Sequence, residues 1–359
     1  MNKKTRYIFW AVIRNAILLF LALELFFRFV IPASNPPRSY FSETDKLRIY
    51  SNEIKDGLWT EGKMAEIKWR WHINNKGWNY PVDYEKTGKE LIAIIGDSFV
   101  ASPRIDYDKK YPYLLKKKLG EKYEVYAFGQ DGAPLSQYLH LIRYVNKYFN
   151  PDTLLFVITE DDLKPSLFEF SSDPEFLTIN IDKNGTVKEC APKGYNLSAT
   201  PFKLYRRFLN RSALFRYVYS NLRLDFLLKK FANKYSGNPN RQVDNTESRD
   251  KLIEAAADYL IGKIKQENTG KRIIFVIAPD KGIIYYPTAE NKEFRLFNEM
   301  IKKMCVKYNI ETIDLILPMQ EEYKLTKKQI TFDGDMHWNA YGNEFVASLL
   351  YEYLHNCSE

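Results

Sequence analysis

A serine, a histidine and an aspartate stand in this chain where they could work together. Ser98 belongs to the tetrad Gly96-Asp97-Ser98-Phe99, directly after the apolar run Leu91–Ile95. The C-terminal tip of a buried strand is where α/β enzymes carry reactive groups. His337 and Asp335 share the polar stretch Asp335-Met336-His337-Trp338-Asn339 near the other end of the chain. A serine hydroxyl is too weak an acid to attack an ester alone and needs a base to take its proton. A carboxylate beside the imidazole fixes its tautomer and stabilises the imidazolium, so these three residue types complete the inventory for nucleophilic catalysis. A serine after a strand also serves as a helix N-cap, so the tetrad by itself does not decide the matter. The other histidines are poorer bases: His72 sits between aromatics, His140 in the helical stretch Leu135–Tyr148 and His355 near the terminus. No two histidines share a helical face and no Cys/His cluster occurs, so neither metal nor other cofactor is implied. No glycine-rich nucleotide fingerprint follows the first strand.

Order and context add to the tetrad. The chain resembles the SGNH/GDSL hydrolase family over about Ile73 to His355, in blocks running Gly96-Asp97-Ser98-Phe99, Gly129-Gln130-Asp131-Gly132, Glu160-Asp161-Asp162-Leu163 and Asp335-Met336-His337. The resemblance implies Ser98 as nucleophile, His337 as general base and Asp335 as its partner. It also implies an oxyanion hole of the Ser98 N–H, the Gly132 N–H and a side chain at position 161. Gly132 suits an ordinary turn equally, beside Asp131 and Pro134. At position 161 the family pattern has asparagine and this chain has Asp161; an ionised aspartate accepts hydrogen bonds only and would repel an oxyanion.

The elements that must position these groups are legible as pattern. Five short runs, Leu91–Ile95, Tyr123–Phe128, Thr153–Thr159, Arg272–Ala278 and Glu311–Leu315, are rich in β-branched and aromatic residues and alternate with helical stretches. That alternation predicts an α/β fold with a mostly parallel five-stranded sheet. The resemblance implies the three-layer α/β/α sandwich, flavodoxin-like in type. Residues 43–88 lack helical period and read as short edge strands and loops, with Ile73–Trp78 like the lead-in of anchored family members. Between the third and fourth strands a helical insertion is expected at about 164–250. It includes a basic helix over Lys203–Phe231 and a flexible return loop over Ser236–Arg249. The basic face reads either as simply solvated or as a lid resting on substrate or membrane.

With 359 residues and 45% apolar content the chain can bury one large core. The net charge of +8 is spread out, which makes nucleic acid a poor partner. Cys190, Cys305 and Cys357 are too scattered for a disulfide framework. Lys3, Lys4 and Arg6 precede an apolar stretch from Tyr7 to Ile31, long enough at about 1.5 Å per residue to cross about 30 Å of hydrocarbon. Arg14, Glu24 and Arg28 each cost up to about 3 kcal/mol near a bilayer centre, though Glu24 and Arg28 form an i,i+4 pair near one end. No clean cleavage site comes after it, so an uncleaved anchor is expected over 7–31, with 1–6 cytoplasmic, 32–88 linker and lead-in, and the hydrolase-like domain at 89–359 outside; the alternative is an amphipathic helix packed on the domain.

The expected function is therefore a serine-dependent acyl or acetyl esterase of the cell envelope, acting on a glycan or another ester. Two rivals stand beside it. One is an O-acyltransferase modifying an exopolysaccharide: Ala278–Gly282 with Tyr285 and His337-Trp338 resemble the alginate O-acetylation proteins, in which, however, the Asp-x-His pair precedes the serine block. The other is a non-catalytic glycan-binding or assembly protein, for which Asp161 argues and the joint presence of Ser98, Asp335 and His337 argues against.

Overall fold

The computed structural model describes residues 2–171, 173–195, 211–224, 246–286 and 292–356. Helix α1 (Lys3–Phe29) leads into two short strand pairs, β1 (Ser39–Ser42) with β2 (Leu47–Tyr50) and β3 (Asp56–Glu61) with β4 (Ile67–His72). Next come β5 (Glu90–Gly96), α2 (Ser98–Ala101), α3 (Tyr111–Leu119), β6 (Tyr123–Gly129), α4 (Leu135–Tyr148) and β7 (Thr153–Ile158). The pair β8 (Thr178–Ile181) and β9 (Val187–Cys190) precedes a short helix α5 (Ala213–Arg216) and the π turn Tyr217–Asn221. The chain continues through α6 (Thr246–Glu267), β10 (Arg272–Ile277), α7 (Lys281–Tyr285), α8 (Lys292–Lys307), β11 (Glu311–Asp314), α9 (Ile316–Thr326) and α10 (Ala340–Asn356). It divides into two compact units.

The larger unit (Arg38–Lys55, His72–Tyr195 and the chain from Arg241) holds a five-stranded sheet in the order β11-β10-β7-β5-β6, every pair parallel. Strands buried on both faces read as unbroken apolar runs, and Leu91–Ile95, Leu154–Ile158 and Ile273–Ile277 are buried throughout. In sequence order of the five strands the arrangement is flavodoxin-like: the first strand, β5, lies between the second and third, and the winding direction reverses there. Right-handed crossovers then put α3 on one face of the sheet and α4, α6 and α8 on the other. The packing agrees, since α3 lies against α10 while α6 lies against both α4 and α8. The α/β/α sandwich expected from the sequence is thus the observed fold. Ser98 comes directly after the strand at which the order reverses, the place where open α/β sheets form their crevice.

The smaller unit contains α1 with the chain to Pro37, Asp56–Trp71 and, within Asn196–Asn240, the described residues 211–224. Helix α1 runs Lys3–Phe29 rather than 7–31. Asn2 caps its start by accepting the Thr5 N–H at 2.9 Å, and Pro32 comes just after its end. Among the described residues it is the one helix long and apolar enough to cross a membrane.

The insertion departs from expectation. Its first part is not helical but the antiparallel pair β8–β9, whose turn is closed by the Asp182 carboxylate accepting the N–H groups of Asn184 and Thr186. Of the expected helix Lys203–Phe231, only 211–224 lie among the described residues, and they form one short helix with a π turn. The return loop expected over Ser236–Arg249 is replaced by helix from Thr246 onward, the remainder lying outside the described residues. Cys190 and Cys305 are free thiols, and Cys357 lies outside the described residues.

Candidate active site

The nucleophile candidate is presented by a short, tightly packed turn. Asp97 caps α2, accepting the Phe99 N–H at 2.8 Å, and leaves Ser98 half-buried at the first helical position. Helix α2 rests directly on the end of β6: a Cβ added to Gly129 would meet the Ala101 backbone nitrogen at 2.2 Å. Glycine is needed there for close approach, which explains the first residue of the second block. Lys110, fully buried, donates from Nζ to the Ala101 carbonyl and holds the far end of the same turn. Burial, partly opposed by the charge of Asp131, pulls its ammonium down to about 8.

The Asp335–His337 stretch reaches Ser98 on a braced loop. The Thr331–Trp338 bridge closes it, and Phe332 N–H donates to the His337 carbonyl at 3.1 Å. Helix α7 braces it from outside: Lys281 Nζ donates to the carbonyls of Phe332 and Asp333, at 2.6 and 2.5 Å, and the Tyr285 hydroxyl accepts the N–H groups of Ile330 and Thr331. These are the residues that resembled the alginate O-acetylation proteins in sequence, and here they position the histidine loop. Buried Asn343 ties the loop to the serine side. Its Nδ2 donates to the Trp338 and Asn339 carbonyls while its Oδ1 accepts the Tyr111 N–H at 2.9 Å and the Ser102 hydroxyl at 3.4 Å. Trp338, buried, packs edge-on against Phe99 beside Ser98.

The outcome is a hydrogen-bonded line between residues 239 apart in sequence: the Ser98 hydroxyl donates to His337 Nε2 at 2.7 Å. His337 Nδ1–H donates to Asp335 Oδ1 at 2.5 Å, and its backbone N–H donates to the same oxygen at 3.2 Å. Arg104 Nη1 donates to Asp335 Oδ2 at 2.5 Å. Burial works to raise the Asp335 carboxyl, but the His337 N–H groups, the imidazole charge and the Arg104 guanidinium outweigh it and hold the group below its ordinary value. All three sequence candidates meet. Arg104, Asn343 and Lys110 were not foreseen, and no motif marks them; only their contacts do.

Two further carboxyls lie near Ser98. Asp162 accepts the Thr159 N–H at 2.7 Å and the Tyr138 hydroxyl at 2.9 Å, and burial with the nearby Asp97 charge pushes it well above the carboxylate range. Asp97 is likewise raised by burial, against the Phe99 N–H and the charge of His337. Proximity of two acids in one dry site disfavours both charges at once. Of the three remaining histidines, His140 lies half-buried against the Asp45 and Lys46 carbonyls, and His355 is exposed against Tyr351.

The oxyanion candidates stand at the rim. Gln130–Ala133 is a turn closed by the Ala133 N–H on the Gln130 carbonyl, with Gly132 at φ +71° in the third position, where glycine is required. The Gly132 N–H makes no hydrogen bond among the described residues. Asp161 is exposed on the 3-10 turn Glu160–Asp162 and, among the described residues, makes no hydrogen bond to Ser98 or His337. Glu160 next to it is lifted to about 7 by burial and by the charges of Glu293, Asp161 and Asp280.

No protein-family model matches the chain, and no curated protein matches it. Solved structures do. A lipase/acylhydrolase from Enterococcus faecalis is 11% identical over 74% of this chain and 95% of that one, at a TM-score of 0.40. A member of the lipolytic G-D-S-L family from Veillonella parvula is 13% identical over 74% and 97%, at 0.41. A carbohydrate acetylesterase from Sinorhizobium meliloti is 11% identical over 75% and 100%, at 0.37. In block order, in its parallel sheet and in bringing serine to histidine, the chain resembles the SGNH/GDSL hydrolases.

Proposed function

We propose that the chain is a membrane-anchored, serine-dependent ester hydrolase whose larger unit works outside the cytoplasmic membrane, removing an acyl group, acetyl first among them, from a cell-surface glycan. The single observation that carries the chemistry is the 2.7 Å contact of Ser98 Oγ with His337 Nε2, backed by Asp335 on the other ring nitrogen. In this reading His337 takes the hydroxyl proton as Ser98 attacks the ester carbonyl, and Asp335 keeps the Nδ1 proton in place and stabilises the imidazolium. The Ser98 and Gly132 N–H groups receive the oxyanion, each such donor being worth roughly 3–4 kcal/mol at comparable sites. The alcohol leaves with the proton from His337. Water then gives its proton to the same nitrogen and attacks the acyl-serine, which restores Ser98 and frees the acid. A purely binding role would not require so complete a proton line.

The anchor reading rests on α1. None of its residues is buried, and many of its apolar side chains are largely exposed, among them Tyr7 at 74% and Phe29 at 75%. Retention of the helix is supported by the packing of residues 34 and 35 just beyond its end. Ser34 is fully buried, its N–H bonds Asn221 Oδ1 at 3.0 Å and its carbonyl accepts from Arg216, while the Trp71 indole N–H donates to the Asn35 carbonyl. Cleavage just before these residues would cut into a packed, hydrogen-bonded segment. Lys3, Lys4 and Arg6 favour a cytoplasmic start.

The test uses the full chain in detergent, offered a chromogenic acetyl ester and an acetylated glycan with and without a sugar acceptor, following acetate release and acceptor mass. Acetate release from both substrates, with a serine-directed phosphonate attached to Ser98, is the expected result. A label on another serine would overturn the site, and a gain of acceptor mass without acetate release would replace hydrolysis by transfer.

A further inference from the structure

An acidic residue inside an apolar helix calls for a partner, and Glu24 has an unexpected one. Its Oε2 accepts the Ser212 hydroxyl at 2.7 Å and the Leu214 N–H at 3.1 Å, and its Oε1 accepts the Ala213 N–H at 2.8 Å. Arg28 Nη2 bridges Glu24 Oε1 at 2.5 Å and the Arg211 carbonyl at 3.1 Å. The start of α5 is therefore seated on the last turns of α1. Rings continue the contact: Phe27 stacks on Tyr217 with centroids 3.8 Å apart, and Phe20 meets Phe215 at 6.4 Å.

These contacts have a depth. A helix of 27 residues is about 40 Å long, so one that crosses about 30 Å of hydrocarbon projects about 5 Å at each end. Glu24 then lies close to the hydrocarbon boundary and Phe20 about 8 Å inside it. Phe215, packed on Phe20, shares that level. Phe215, 45% exposed, meets Phe20, and Phe20 and Phe26 are each 40% exposed, so apolar surface runs from α1 onto α5.

We infer that Arg211–Leu222 is a membrane-interface element, docked on the anchor through Glu24 and embedded with Phe215 in the lipid of the same leaflet. The occupant of its exposed face is bilayer lipid, because that face is continuous with the uncovered face of α1. The inference rests on the reading of α1 as a membrane span. It also gives the intramembrane carboxylate its role: an acid is tolerated at the edge of hydrocarbon when hydrogen bonds satisfy it, and here two backbone N–H groups, a hydroxyl and a guanidinium do so.

The experiment places an environment-sensitive fluorophore on one introduced cysteine of the full chain, F215C, L18C or N184C, with Cys190 and Cys357 changed to serine and the buried Cys305 left in place. The chain is reconstituted in phosphatidylcholine vesicles. Quenching by phosphatidylcholine carrying a nitroxide near the headgroup end of its acyl chain is compared with quenching by aqueous iodide. The probe at 215 should lose most of its emission to the lipid nitroxide and little to iodide, as should the probe at 18, whereas the probe at 184, in an exposed turn, should show the reverse. A probe at 215 behaving like that at 184, with that at 18 still quenched by lipid, overturns the inference and leaves the anchor standing. Iodide quenching at 18 removes both. Glu24→Ala should move the 215 probe from lipid into water; lipid quenching unchanged in Glu24→Ala would remove Glu24 from the docking.

Discussion

Asp335→Asn tests the proton line most sharply, because Arg104 makes its outcome conditional. In the native site Oδ1 meets two donors of His337 and Oδ2 meets a third from Arg104, so every contact pairs donor with acceptor. An amide cannot satisfy both sides. With its oxygen toward His337, its NH2 faces the Arg104 guanidinium; with its NH2 toward His337, the imidazole is driven to carry its proton on Nε2 and cannot accept from Ser98. The charge loss alone is large. Two unit charges about 4 Å apart at an effective dielectric of about 20 interact by about 4 kcal/mol, or about a thousandfold in rate for the imidazolium formed during attack. A donor facing a donor adds about 1–3 kcal/mol, about 5- to 100-fold. Asp335→Asn should therefore lower kcat by about 5 × 10³- to 10⁵-fold. Arg104→Met alone should cost about fivefold, as a partly exposed ion pair does. In the double variant the amide is free to turn its oxygen to His337, so activity should exceed that of Asp335→Asn by about 5- to 100-fold. The assay is turnover of a chromogenic acetyl ester by all four proteins, with melting curves to show equal folding. A double variant as poor as the product of the singles, or a loss under about tenfold in Asp335→Asn, would refute the reasoning.

Ser98→Ala and His337→Ala should each abolish nearly all turnover, with the double variant no worse, because nucleophile and base act as one unit; independent losses on the same ester would separate them. Gly129→Ala should displace α2 from β6, costing about 1–3 kcal/mol in a urea titration and reducing turnover of the residual folded enzyme, whereas unchanged kinetics would show that α2 tolerates the shift. Asp161→Asn should raise turnover by about tenfold if position 161 turns toward the oxyanion during reaction, and a phosphonate adduct with this side chain still in solvent and kinetics unchanged would leave Ser98 and Gly132 as the donors. The folded-state values of Asp97, Asp162 and Glu160 are raised, the last to about 7, so their contribution is present at acid pH and is lost as pH climbs from the ordinary carboxylate range towards 7. Asp335, lowered, works in the opposite sense and only at more acid pH. Urea titrations through this range should show stability falling with rising pH, with a shallower fall in Asp162→Asn; a slope of opposite sign would contradict the burial of these acids.

Local pattern carried much of this protein. Runs of β-branched residues between helical stretches sufficed for the five parallel strands, since a strand buried on both faces has to be apolar along its length, and Leu91–Ile95 and Ile273–Ile277 are. The tetrad at a strand end and the Asp-x-His loop were legible because a serine after a buried strand and one of only four histidines beside a carboxylate match the narrow chemical demands of a nucleophile and its base. The apolar stretch after Met1 announced a helix, though its true start at Lys3 depends on the Asn2 cap. Which distant groups meet was settled by the folded chain alone. Strand order brings Ser98 to His337, and nothing local reports strand order. Arg104 on Asp335, Asn343 between the two halves of the site, and Lys281 under the histidine loop are ordinary polar residues whose roles arise from contact alone. The β8–β9 pair was read as helix because its strands are four residues each, too short for a period to show. Glu24 is the clearest case. In sequence it is a cost in an apolar helix and half of an i,i+4 pair. In the folded chain it is the acceptor for Ser212, Ala213 and Leu214, because the free energy of a buried charge depends on donors that the chain delivers from nearly 190 residues away.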